Sequence, residues 1–214
     1  MEIGTEDLEK GMLLVGSHID SPRLDLKQNP LYENSGMAYL DTHYYGGIKK
    51  YQWVASPMAL HGTIVKKDGT SVEISVGENA DEPVVGITDL LVHLSAKQME
   101  KSASLVIEGE ALDVLVGTRP LEGEEKENQV KNYILKLLKD RYDIEEADFV
   151  SAELEIVPAG KARDFGLDAS MIMAYGQDDR ICAFCSLMAM LHSEAAAKTK
   201  VCLSVDKDEI GSVG

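Results

Sequence analysis

The sequence predicts an α/β protein in which a β-rich block interrupts a domain of alternating strands and helices, and three observations carry the prediction. Apolar runs near the start and the end of the chain stop abruptly in polar clusters. An apolar helix-like stretch stands between two strand-like runs in the last fifty residues. The centre instead alternates apolar and polar residues about an Asp68-Gly69 turn. Strand, polar loop and helix in succession make a mainly parallel sheet, whose ligands gather at the carboxyl ends of its strands. Strict alternation makes half-buried antiparallel strands.

Taken in order, residues 11–17 ("GMLLVGS") and 35–47 ("SGMAYLDTHYYGG") read as short strands separated by Pro- and Asn-rich turns. From Leu60, "LHGTIVKKDGTSVEISVG" is strand, Asp-Gly turn and strand, the pattern of a hairpin. An acidic loop, the apolar segment "GITDLLVHLSAK" and the strand "ALDVLVGT" follow. A helix is expected over about residues 125–141, where Val130, Ile134, Leu137 and Leu138 share one face. "ADFVSAELEIVPAG" reads as a further strand. The last segment reads as a strand "SMIMAYG", the cluster "QDDR", a helix "ICAFCSLMAMLHSEAAAK", a strand "KVCLSVD" and a polar turn. Residues 1–57 and 166–214 are therefore expected to form two parts of one α/β domain, with 58–165 as the β-rich insertion.

Composition narrows the partners. The 214 residues are 44% hydrophobic, enough for a proper core, and carry a formal charge of −16. Nucleic acid and anionic membranes are repelled by such a surface. No apolar run approaches the roughly 20 residues of a membrane span, and "MEIGTEDLEKG" is acidic where a secretory signal is basic. A cytoplasmic protein is expected. Three cysteines, Cys182, Cys185 and Cys202, are an odd number and do not make a disulfide framework. The C-x-x-C pair lies in an apolar helix and is expected in the core.

Three polar clusters carry candidate chemistry. His18 and Asp20 stand two residues apart, on the same side of an extended chain. Either they form a polar turn, or Asp20 holds the second ring nitrogen of a metal-binding His18. Asp178 and Asp179 precede a helix, as a cap with favourable charge or as a carboxylate bridging two metal ions, with Arg180 fixing the neighbouring acid. Asp208 and Glu209 follow a strand, as a surface turn or as a pair in which one acid binds metal and the other takes a proton. His43 and His93 are ligands, substrate contacts or structural residues, and His61 and His192 carry less. Arg23, Lys49 and Lys50 are expected to be solvated, or to bind a substrate carboxylate if they reach the site.

Together "SHIDSPRLDLK", "YGG", "GQDDR" and "DKDEIGS" follow the order of one family: the chain resembles the aspartyl aminopeptidase and aminopeptidase I family of dinuclear zinc exopeptidases, in its clostridial or Thermotoga-like branch. The resemblance implies a phosphorylase/hydrolase-like α/β domain with an inserted β domain that drives assembly into a homo-oligomer, commonly a tetrahedral dodecamer. It implies removal of N-terminal residues from a peptide substrate by two zinc ions, with cobalt or manganese as substitutes. On that pattern His18 is a zinc ligand and Asp20 orients it, Asp178 bridges the ions, Glu209 binds the other metal and Asp208 is the general base. His93 falls near a histidine that in some relatives reaches a neighbouring subunit's active site. The family has Glu at the position of Asp208, and the missing methylene draws the carboxylate back. Two further ligands, an Asp and a His, are expected beyond Gly214, so the chain is expected to be a fragment with three protein ligands for two ions. A non-catalytic assembly module and a two-metal deacylase are the competing functions.

Overall fold

The structure is a computed structural model that describes residues 1–123 and 127–211. Its strands and helices are β1 (Leu13–His18), β2 (Arg23–Asn34), β3 (Met37–Tyr45), β4 (Pro57–Val65), β5 (Ser71–Val76), β6 (Val85–Gly86), α1 (Ala96–Met99), β7 (Val114–Gly117), α2 (Gln129–Tyr142), β8 (Ala152–Pro158), β9 (Arg163–Phe165), β10 (Met171–Met173), α3 (Gln177–His192) and β11 (Lys200–Val205). They fall into two compact units, Met1–Pro22 with Ala174–Gly214, and Arg23–Met173. The expected boundaries at 57/58 and 165/166 both lie inside the second unit. The reason is pairing: β2 and β3 bond to β7 and β8, so residues 23–57 fold with the central block.

In the second unit every pairing of the large sheet is antiparallel, and the strands run β4-β6-β7-β3-β2-β8. β8 then pairs with β4 again, from Met58↔Pro158 to Ile64↔Ala152, so the sheet closes on itself as a barrel-like ring with β5 attached to β4. Closure gives each ring strand a neighbour on both sides, although β2 meets β8 only at Leu24 and Asp25. Gly62 sits on the seam with φ +135°, and a Cβ there would fall 1.9 Å from the Glu153 carbonyl oxygen. Period-2 burial runs along β3, where Ala38, Leu40 and Thr42 are buried between more exposed neighbours. Leu24, Met58, Ile64, Leu112, Val114 and Ile156 are fully buried and form the core. The predicted hairpin is present as β4 and β5, joined through the turn in which the Lys66 carbonyl accepts from Gly69 N–H. The predicted helix is α2; residues 125 and 126 of the expected span lie outside the described residues.

In the first unit β1 and β11 run parallel from Leu13↔Lys200 to His18↔Val205, and α3 packs against both. The expected parallel sheet is therefore two-stranded among the described residues. "SMIMAYG" does not join it: its Met171–Met173 pair antiparallel with β9 in the second unit. α3 ends at His192, earlier than expected, and has no buried residue. Cys182 and Cys185, expected in a core, are exposed on it, because its packing against two strands leaves most of an apolar helix uncovered. Among the described residues no helix is long and apolar enough to cross a membrane.

Candidate metal centre at the ends of β1 and β11

The register that sets His18 opposite Val205 brings the carboxyl ends of the two parallel strands level, and both polar clusters emerge there. Asp20 ties them together. Its buried carboxylate accepts the Asp208 N–H on Oδ1 (3.1 Å) and the Glu209 N–H on Oδ2 (3.2 Å). The turn beyond β11 closes where Gly211 N–H meets the Asp208 carbonyl, and Gly211 takes φ +71° there. Glu209 is thereby held with Oε2 3.9 Å from His18 Nδ1.

The second role of Asp20 is through its backbone. Its carbonyl lies 3.0 Å from His18 Nδ1, and since a carbonyl only accepts, Nδ1 carries the proton and Nε2 is left with its lone pair. Nε2 faces Asp178 Oδ1 at 3.6 Å. Burial opposes the charged imidazolium, but the bond to the Asp20 carbonyl and the carboxylates of Asp179, Glu209 and Asp20 outweigh it and raise the His18 pKa. The potential that favours a proton here favours any cation.

Asp178 is positioned from its backbone too. The Ser21 hydroxyl donates to the Asp178 carbonyl at 3.1 Å, the Tyr175 hydroxyl donates to the Pro22 carbonyl, and Arg180 Nε lies 3.5 Å from the Ile19 carbonyl. These contacts fasten the start of α3 to the end of β1. Sequence reasoning gave Ser21 and Tyr175 no role, and Tyr175 carries no motif that would have marked it. Asp178 and Asp179 have non-helical backbone angles, so regular helix starts at Arg180. Asp179 accepts from the Cys182 thiol, whose pKa that carboxylate pushes up. The Asp178 side chain is 93% exposed against 19% for His18, so it meets the imidazole from the open side.

These groups suit zinc in chemistry and, for one pair, in spacing. Two donors about 2.0–2.1 Å from one tetrahedral zinc stand roughly 3.3 Å apart, close to the 3.6 Å between His18 Nε2 and Asp178 Oδ1. Among the described residues no group of three or more His, Cys, Asp and Glu is arranged to hold an ion. Glu209 stands beside Nδ1, the nitrogen already engaged by the Asp20 carbonyl. Asp208 joins the cluster through its backbone, while its half-buried carboxylate makes no bond to His18 or Asp178 among the described residues.

The other candidates have their own settings. His61 is 2.8 Å from Glu78, His43 stacks on Tyr44, His93 is exposed on a short turn and His192 is exposed at the end of α3. Arg23, expected to be solvated, is buried: it pairs with Asp25 (2.7 Å) and Glu155 (3.0 Å) and lies 4.2 Å over the Tyr45 ring. Lys50 lies 5.4 Å over the Tyr44 ring.

Comparison with known proteins shows the family. A family model described as aminopeptidase I zinc metalloprotease (M18) matches residues 2–214. The chain is 61% identical over 212 residues to a probable M18 family aminopeptidase 1 of Clostridium acetobutylicum, covering 99% of this chain and 46% of that protein. It superposes on the crystal structure of aminopeptidase I from the same organism with a TM-score of 0.90 at 60% identity, again over 99% of this chain and 46% of that one. A yeast mApe1 dodecamer shares the fold at 19% identity and a TM-score of 0.66, over 99% of this chain and 47% of its own. The chain thus spans under half the length of the curated relatives it matches, and their fold is mixed α/β. The chain belongs to the peptidase M18, aminopeptidase I, family of zinc metalloproteases.

Proposed function

We propose that this chain carries part of the metal centre of a zinc aminopeptidase that removes N-terminal amino acids from peptides. The observation that carries the reading is the approach of His18 Nε2 to Asp178 Oδ1, 3.6 Å apart at the end of β1, with the Nδ1 proton already committed to the Asp20 carbonyl. His18 and Asp178 would hold one ion, and Asp178 and Glu209 a second; cobalt or manganese could replace zinc at such N/O donors. Zinc supplies Lewis acidity toward a water and the scissile carbonyl.

The protein's own groups do the rest. Asp20 keeps the imidazole in the tautomer with a free Nε2 and, through its carboxylate, holds the turn that presents Glu209. Asp208 takes the proton of the attacking water on its carboxylate and returns it to the leaving amine. Its short side chain makes that transfer slower than from Glu. We read the first unit as part of a phosphorylase/hydrolase-like domain and the second as an assembly domain, with the protein working in the cytoplasm as a homo-oligomer, a tetrahedral dodecamer; the yeast relative is a dodecamer.

In the polypeptide that carries this chain, Asp178→Asn is expected to reduce zinc-dependent release of amino acids from aminoacyl 4-nitroanilides roughly 100-fold or more. Unaltered turnover overturns the assignment. Cleavage of N-acyl amino acids in place of aminoacyl substrates would make the protein a deacylase.

A further inference from the structure

Among the described residues β5 is the one strand of the large sheet with a single neighbour, β4. The Lys66 N–H donates to the Thr70 carbonyl, which sets the phase of the β4–β5 ladder. Antiparallel pairs alternate between bonded and non-bonded, so Val72, Ile74 and Val76 exchange bonds with β4 while Ser71, Glu73 and Ser75 turn their N–H and C=O groups outward. Those outward groups meet no hydrogen-bond partner among the described residues. Native sheets blunt such an edge with Lys, Pro, a bulge or shortness. β5 uses none of these: it is six residues, "SVEISV", in unbroken register with β4 and with Glu73 as its sole charge.

The strand complements itself. Ser71, Glu73 and Ser75 form its exposed face; Val72, Ile74 and Val76 form the other, where Ile74 is buried and the two valines only half-buried. A two-fold axis at Ile74 sets Ile74 against Ile74 of a second copy and Val72 against Val76, and lets Glu73 and Ser75 exchange their outward N–H and C=O groups. An axis at Glu73 instead sets like charges opposite each other, which is unfavourable. The Ile74 register also brings the turn before β5 alongside the loop after β5 of the second copy. Lys67 in that turn and Asp81 in that loop are exposed, and neither has an ion-pair partner among the described residues. The two-fold joins them twice.

We propose that β5 pairs antiparallel with β5 of a second copy of this chain about a two-fold at Ile74, so that one sheet runs across two molecules. This names the contact surface of the homo-oligomer read above and rests on that reading, not on the metal centre. Pairing of one short strand buries little area, so the contact is weak. The formal charge of −16 opposes it, but at about 0.15 M salt the screening length of roughly 8 Å confines that repulsion to charges near the contact.

The test is sedimentation equilibrium of this chain at about 0.15 M salt and up to roughly 100 μM protein. Wild type is expected to form a dimer or a multiple of it. Ser75→Pro removes an outward N–H and spares the bonds to β4, and should weaken the association roughly tenfold or more. Lys67→Glu and Asp81→Lys should each weaken it roughly three- to tenfold, and the two together in one chain should restore it to within about twofold of wild type. A chain that stays monomeric overturns both the proposal and the homo-oligomer reading for this chain. Association that none of these variants changes overturns the proposal alone and moves the contact to another surface. Loss on each single reversal without recovery in the double variant excludes this register, and the proposal with it. The reversals sit at exposed turn and loop positions, so they decide the matter even if Ser75→Pro does not fold.

Discussion

Leu24 and Leu14 lie on successive strands, yet Leu24 in the second unit is fully buried and Leu14 in the first is 58% exposed. The contrast repeats across both units. The second unit closes its sheet, so each ring strand has partners on both sides and an inner face shared with the others. Among its described residues the first unit has two parallel strands and one α-helix, and Leu13, Val15, Ile181, Phe184 and Leu203 all stay exposed. Parallel sheets are ordinarily covered on both faces. The chain spans under half the length of the curated relatives it matches, and within it these apolar residues of the first unit are uncovered.

Substitutions can break this comparison most directly. Leu24→Ala is expected to cost about 2–5 kcal/mol, whereas Leu14→Ala should stay within about 1 kcal/mol. Urea unfolding followed by the buried Trp53, which lies in the second unit, measures the first, and circular dichroism the second. Equal costs would mean that the two strands are equally packed.

A smaller effect sharpens the account of the first unit, whose order rests on polar ties more than on a core. Asp20→Ala removes the acceptor of two backbone N–H groups and is expected to cost about 1–3 kcal/mol. It should also speed amide exchange at Asp208 and Glu209, whose N–H groups it holds. Exchange that does not change there would show that the turn stands without Asp20.

The smallest effect belongs to the second unit. Burial raises the pKa of Asp113 above its ordinary 3.8, the Tyr32 hydrogen bond lowers it, and the neighbouring Asp41 raises it again. A carboxyl with a raised folded pKa binds its proton more tightly when folded, so its contribution is complete below 3.8 and lost as pH rises through the raised value. The stability difference between wild type and Asp113→Asn should therefore shrink, in wild type's disfavour, from pH 3 to pH 7. A flat or opposite difference would place Asp113 in a wetter setting than the ring provides.

Much of this organisation was legible in the sequence because it is local. The Asp68-Gly69 turn announced β4 and β5, and the Val130 to Leu138 face announced α2. The split of the chain was misread because β2 and β3 bond to strands about seventy-five to a hundred and thirty residues away. A signal was present in β3: its alternation of Ala38, Leu40 and Thr42 with Tyr39, Asp41 and His43 is the period of an antiparallel strand with one buried face, not of a parallel one. Arg23 was misjudged because its partners Glu155 and Tyr45 come from other strands. Strand ends and residue types singled out His18 and Asp178, and the structure brings Nε2 and Oδ1 of the two within 3.6 Å. That the Asp20 carboxylate would hold backbone amides, leaving its carbonyl to the imidazole, depends on the level ends of β1 and β11, which spacing does not express.

The bare Cα of Gly62 sets a condition on the whole second unit. With the Glu153 oxygen occupying the space a methyl group would need, any other residue must drive β4 and β8 apart at their meeting line. A ring unzipped there becomes a strip with two raw margins of N–H and C=O groups, free to bond with another chain. Whether this sheet is sealed or sticky thus turns on a residue that contributes no side chain at all.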